Sequence, residues 1–253
     1  MRSKFIIYIV LFCVLLGLAY IIYYYNNNSV SYSTDITTEL NIILNNSDNK
    51  LTDEHEVSFS DVQISEDDIK IITNIITYLE TNLAQTDEYL YSLDDRFEDM
   101  NVLAMRYQGL SDWNKVGEIY KEVSKMFNDR PLAWYNLGVY QIKAGQWKSA
   151  SESLLTSLEL DSQFQLSWLA LIDFYKYQIK ADFDTMDSLF NYALLNTAND
   201  NTILREYAEY LEQNDRLESA MTIWKNVYEE SSDNKDAILN RINKLQQKLD
   251  SKM

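Results

Sequence analysis

The chain has 253 residues, 46% hydrophobic and 24% charged, with one proline and five glycines; it has apolar material for a sizeable core or a repeat array, and too little turn chemistry for many short strands. Its net charge of −17, with 39 acids against 22 bases, excludes a surface built to neutralise nucleic acid. One cysteine, Cys13, and one histidine, His55, exclude an intramolecular disulfide and a histidine-based metal cluster.

Residues 5–25, FIIYIVLFCVLLGLAYIIYYY, carry no charge over twenty-one positions. At about 1.5 Å of helix rise per residue they are long enough to cross a hydrocarbon core of about 30 Å. Arg2 and Lys4 precede the run and the next charge is Asp35. That bias predicts residues 1–4 in the cytoplasm and the body of the protein on the other side of the cell (inner) membrane, periplasmic in a Gram-negative-like envelope. Tyr20, Tyr23, Tyr24 and Tyr25 suit the far headgroup level. The run exceeds the roughly 7–15 apolar residues of a cleaved signal peptide. Leu11 and Phe12 stand where a lipoprotein signal has small residues, so Cys13 reads as an apolar residue of a membrane helix.

Residues 26–65 are rich in Asn, Ser, Thr and Asp and lack a sustained period. They are expected to form a flexible polar and acidic tether, with a reach on the order of 35 Å. Within it ITTELNIIL, 36–44, is an apolar island suited to a short docking helix, and His55 reads as solvated. Residues 26–96 hold fifteen acids against three bases, which fits a solvated acidic surface.

A helical region, 66–96, is expected to precede the rest. Ser65 and Asp68 form a capping signature, and Ile69, Ile72, Ile75 or Ile76, Leu79 and Leu83 follow at helical spacing, predicting a helix over 66–84. A second helix is predicted from Asp87 to Gln108, with Leu90, Leu93, Phe97, Met100, Ala104 and Tyr107 on one face and Gly109 as its stop.

Trp113 and Trp147 are thirty-four residues apart, a spacing that calls for a repeat search. Blocks 97–130, 131–164, 165–200 with two inserted residues near 180–184, and 201–234 align. The second has Trp134, Leu137, Gly138, Gly145, Trp147, Ala150 and Leu154 at its patterned positions; the first has Met100, Leu103, Ala104, Tyr107, Trp113 and Tyr120. The third has Trp168, Leu171, Tyr175, Phe190 and Ala193, and the fourth Leu204, Ala208, Leu211, Leu217, Ala220 and Trp224. All five tryptophans fall on patterned positions.

This pattern resembles the tetratricopeptide repeat, over roughly 97–250, with departures at Gln141, Ser157 and Ser162. The resemblance implies an all-α solenoid of helix-turn-helix units, about four repeats, with DAILNRINKLQQKL inside 235–253 as a capping helix behind the single N-terminal transmembrane helix. It also implies an inner groove lined by the first helices: Leu132, Tyr135, Val139 and Ile142; Leu166, Leu169, Asp173 and Lys176; Thr202, Arg205, Glu209 and Glu212. The first part is apolar and the last part charged. Family members that clamp acidic chaperone tails have Lys and Asn where this chain has Tyr135 and Val139, or Asn101 and Met105 in the block before, so that specificity is not implied.

Adjacent carboxylates, Asp94–Asp95 and Glu229–Glu230, do not face one another on a helix. No phosphate loop, nucleophile elbow or calcium loop is present in the sequence. The expectation is a non-enzymatic, membrane-anchored scaffold binding other proteins or peptide segments, with no cofactor, metal, nucleic acid or small-molecule ligand. Tyr135, Val139, Ile142 and Leu169 are its binding face, unless 36–44 or 66–84 covers them. A structural subunit of a secretion, motility or surface-assembly machine, or an accessory domain of an envelope-modifying enzyme system, are the alternatives.

Overall fold

A computed structural model of the protein describes Thr38, Leu40, Ile43, Leu44 and residues 50–59, 63–85, 92–232 and 234–252. Among these residues there are ten α-helices and no strand: α1 (Glu66–Leu83), α2 (Leu93–Gly109), α3 (Trp113–Met126), α4 (Pro131–Lys143), α5 (Trp147–Leu160), α6 (Gln165–Asp173) continued as a π-helical turn (Phe174–Ile179), α7 (Phe183–Asn196), α8 (Asn201–Gln213), α9 (Leu217–Glu230) and α10 (Lys235–Asp250). The apolar run 5–25 lies outside the described residues. None of the described helices is long and apolar enough to cross a membrane.

Side-chain caps set five of the ten starts. Ser65 accepts from the Asp68 amide, Ser92 and Asp95 form a reciprocal capping box, and Asp112, Asp182 and Asp200 accept from amides of α3, α7 and α8. Pro131 opens α4, where its missing N–H costs nothing. The box at Ser92 corrects the predicted second helix, which begins at Leu93 rather than Asp87; Leu93 is exposed, and residues 86–91 lie outside the described residues. Gly109 is the last helical residue rather than the stop, and Ser111 takes the left-handed conformation at φ 58°.

Each helix packs against its neighbours in sequence, giving a string of hairpins. From the second hairpin on, the first helices start at Pro131, Gln165, Asn201 and Lys235, at intervals of 34, 36 and 34 residues, whereas α2 starts 38 residues before Pro131. The second helices, from Trp113, Trp147, Phe183 and Leu217, keep the same intervals. The two extra residues are not in the turn near 180–184. They lengthen the first helix of the third hairpin, which runs from Gln165 through the π turn to Ile179 and ends on left-handed Lys180; a π turn absorbs added residues without breaking a helix.

The patterned positions are where the hairpins close. Leu103, Ala104, Leu137, Trp168, Leu171, Leu204 and Ala208 are buried, as are Ala150, Leu154, Phe190, Ala193, Ala220 and Trp224. At Gly138 the backbones of α4 and α5 come so near that a Cβ would stand 2.9 Å from Leu154 Cγ and 3.3 Å from the Ala150 carbonyl. Gln141, a polar residue at a patterned position, is buried with its Oε1 accepting from Ser153 Oγ at 2.7 Å.

The core forms two clusters, one from α1 to α4 and one from α5 to α10. Leu40 and Leu44 belong to the second and are fully buried. Residues 50–59 likewise differ from the expected free tether, because they lie along the turn edge of the second and third hairpins and hydrogen-bond to it. His55, expected in solvent, stacks on Trp147. α1 packs beside α2, where Tyr107 donates to Glu80 at 2.6 Å.

Candidate functional site

α4 and the third hairpin's first helix lie side by side, with α5 behind them. Between them runs a groove of about 380 Å³ lined by Tyr135, Val139, Ile142 and Lys143 on one wall and by Leu166, Leu169, Ala170, Asp173, Phe174, Tyr177 and Gln178 on the other. Its surface is mainly apolar. Leu166 and Tyr177, 43% and 55% exposed, form its lips, and Tyr135 is held edge-on by Phe164 at 6.0 Å between ring centroids. Burial pushes the Tyr135 hydroxyl above its ordinary value, so it stays a neutral donor.

Six residues expected on the inner face meet here: Tyr135, Val139, Ile142, Leu166, Leu169 and Asp173. They form two facing walls, three from each helix, because spacings of three and four put each set on one side of its helix. The lining comes from residues 135–178, so no described residue of 36–44 or 66–84 covers it. Lys143, Ala170, Phe174, Tyr177 and Gln178 join them without having been legible in the repeat pattern. The last three belong to the π turn, which shifts the phase of the helix face and brings in side chains that a regular helix would turn away.

The rest of the expected face is engaged elsewhere. Leu132 packs against the N-terminal cluster. Lys176 has its side chain only 8% exposed, with Nζ 4.0 Å from Glu206 Oε2 and 4.9 Å from the Tyr177 ring centroid. Around it, burial pushes the Asp173 and Glu206 carboxyls above their usual range, and the Lys176 charge offsets part of that rise.

Further on, α10 closes the inner face of α8. Arg241 donates to Glu209 at 2.8 Å and to Glu212 at 2.7 Å, and its guanidinium lies 4.6 Å from the Trp224 ring centroid. Glu212 also accepts from Trp224 Nε1 at 2.6 Å. Arg205 donates to Ser231 Oγ at 3.1 Å, and the Thr202 amide is spent on the Asp200 cap. Arg205 therefore ties α8 to the end of α9, Glu209 and Glu212 hold it to α10, and the open part of the face is its apolar part.

Among the described residues no three His, Cys, Asp or Glu side chains are placed to hold a metal ion. What the groove offers is shape, apolar area, a tyrosine hydroxyl and one rim carboxylate, the makings of peptide recognition. The class shown is an all-helical array of hairpins. The chain matches no protein-family model and no curated protein.

Proposed function

We propose that the protein is a non-enzymatic scaffold of tetratricopeptide type, anchored through residues 5–25, that holds peptide segments of other proteins outside the cytoplasm. One observation carries the binding part of this reading: six inner-face residues named from the repeat frame line a single open apolar groove between consecutive first helices. Alternating helix pairs at the 34-residue spacing support the repeat type. The uncharged run and the Arg2–Lys4 bias support the anchor and its orientation.

The groove suits an amphipathic helical or extended segment with two or three apolar anchors. Valine, isoleucine and leucine on the walls reward apolar area at about 25 cal/mol per Å², and Tyr135 and Tyr177 supply rigid contact. A photo-crosslinking residue at Val139 or Leu169 in the full chain should trap a defined set of partner segments, while the same residue at exposed Ser219 on α9 should not. Val139→Glu should abolish the adducts without changing the melting temperature. Equal trapping at all three positions would overturn the reading. A single fixed stoichiometric set would favour a machine subunit over a scaffold for many clients. For the anchor, protease added to spheroplasts should cut the helical array, and protection until the membrane is permeabilised would reverse the orientation.

A further inference from the structure

The turn edge of the second and third hairpins carries a site of a different kind. α5 begins after Gln146, whose side chain makes no capping hydrogen bond, and its free amides are met from a distant part of the chain. Trp147 N and Lys148 N donate to the Thr52 carbonyl at 2.9 and 3.2 Å. Ser149 donates twice to Asp53, its amide to Oδ1 at 3.0 Å and its hydroxyl to Oδ2 at 2.7 Å. Burial raises the Asp53 carboxyl, but the Ser149 and Lys148 contacts outweigh it and leave the group below its ordinary value, favouring the ionised form.

Two residues later, the His55 amide donates to the Gly145 carbonyl at 3.1 Å. Its imidazole lies flat on the Trp147 indole, centroids 3.4 Å apart at an interplanar angle of 12°. Gly145 stands at φ +72°, and a Cβ there would collide with the His55 carbonyl; only glycine allows both the turn and the approach. The Ser58 amide then donates to the Lys143 carbonyl at 2.7 Å, and Phe59 stacks on Trp113 at 4.2 Å. At the other end Lys50 Nζ donates to the Ile179 carbonyl at 2.6 Å.

Those contacts have the grammar of a bound extended peptide: carbonyl and carboxylate on helix amides, a ring on an indole, main chain on main chain. Thr52, Asp53, Glu54, Glu56 and Ser58 remain exposed, and the apolar contact of the segment is confined to half-buried Leu51, His55 and Phe59. Ordering ten such residues costs about as much as exposed hydrogen bonds and stacked rings return, so the docked state is one that exchanges.

We propose that this edge is a recognition site for an extended segment bearing a carboxylate and, two residues later, a flat ring. Residues 50–59 fill it in cis as a displaceable latch, and a partner strand carrying the same pattern fills it when the latch lets go. The edge adjoins the apolar groove, sharing Lys143 with it, but its polar contacts are its own, and the proposal does not rest on what the groove binds.

Hydrogen exchange on the full-length chain tests this. In the wild type, the amides of His55, Ser58 and Trp147–Ser149 should exchange at least tenfold faster than those in the middle of α4 and α8. Asp53→Ala with His55→Ala should speed Trp147–Ser149 about tenfold further, leaving α4, α8 and far-UV helicity unchanged. A synthetic peptide of residues 49–60 added to that double variant should restore their protection, whereas the peptide carrying the same two alanines should not. Adding Gly145→Ala to the double variant should abolish the rescue. The proposal is overturned if the latch amides exchange as slowly as the helix centres, if the double variant leaves Trp147–Ser149 unchanged, or if the wild-type peptide restores nothing.

Discussion

Trp134 and Trp168 make the same hydrogen bond one repeat apart. Each indole Nε1 donates to the carbonyl six residues earlier, Asn128 at 2.9 Å and Ser162 at 2.8 Å, tying the first turn of its helix to the preceding loop. Trp168 is fully buried and Trp134 only partly. Trp168→Phe should therefore cost about 1–3 kcal/mol, because it leaves a carbonyl unmet beside the core. Trp134→Phe should cost less, since water reaches its carbonyl. Urea titration of the two full-length variants decides the order, and equal losses would contradict the burial argument.

Gly138 is a matter of volume. Gly138→Leu forces a side chain between α4 and α5 where Leu154 and the Ala150 backbone already meet. Overpacking there should cost roughly 1–3 kcal/mol, read as a fall in melting temperature. Unchanged melting would mean that the two helices cross elsewhere.

Arg241 fastens the last helix through both carboxylates and the Trp224 face. Arg241→Lys keeps the charge but loses the planar fork that reaches Glu209 and Glu212 together. The expected loss is about 1–2 kcal/mol, reduced by partial solvent screening. In 1 M salt the gap between variant and wild type should narrow, and a gap independent of salt would assign the effect to packing alone.

Tyr107 and Asp53 make stability depend on pH in opposite directions. Tyr107, hydrogen-bonded to Glu80 and partly buried, is pushed up from an ordinary 10.0 to about 12. The unfolded chain loses that proton first, so the contribution is complete below pH 10 and is lost as pH rises towards 12. Tyr107→Phe should remove that alkaline component from a denaturation series. Asp53, held below its ordinary 3.8, contributes above that value and loses its contribution as pH falls through the lower folded one. Acid should thus lower the protection factors of the Trp147–Ser149 amides relative to their intrinsic exchange rates, and an Asp53→Asn chain should not show this step.

The helical hairpins were legible because their packing is periodic. Large residues recur at intervals of 34 or 36, Trp134 with Trp168 and Leu154 with Phe190 and Trp224, since every pair must solve the same steric problem. The apolar part of the groove followed from the same frame. Residues 50–59 were not legible, because Thr52 and His55 act partly through main-chain atoms that any residue possesses, and their partners lie about ninety residues on. The pairing of Glu209 and Glu212 with Arg241 was equally hidden, since it depends on which face α10 turns inward rather than on a motif.

The π turn at Phe174–Ile179 also bears on how such a chain can vary. By taking up two residues inside one helix, it leaves Phe183 and everything after it in step with the hairpins before. The array thus keeps count in helices rather than in residues. A gain or loss of length at this point changes the groove wall that Phe174, Tyr177 and Gln178 present while sparing the downstream joints, so the shape of the groove and the integrity of the array can vary independently.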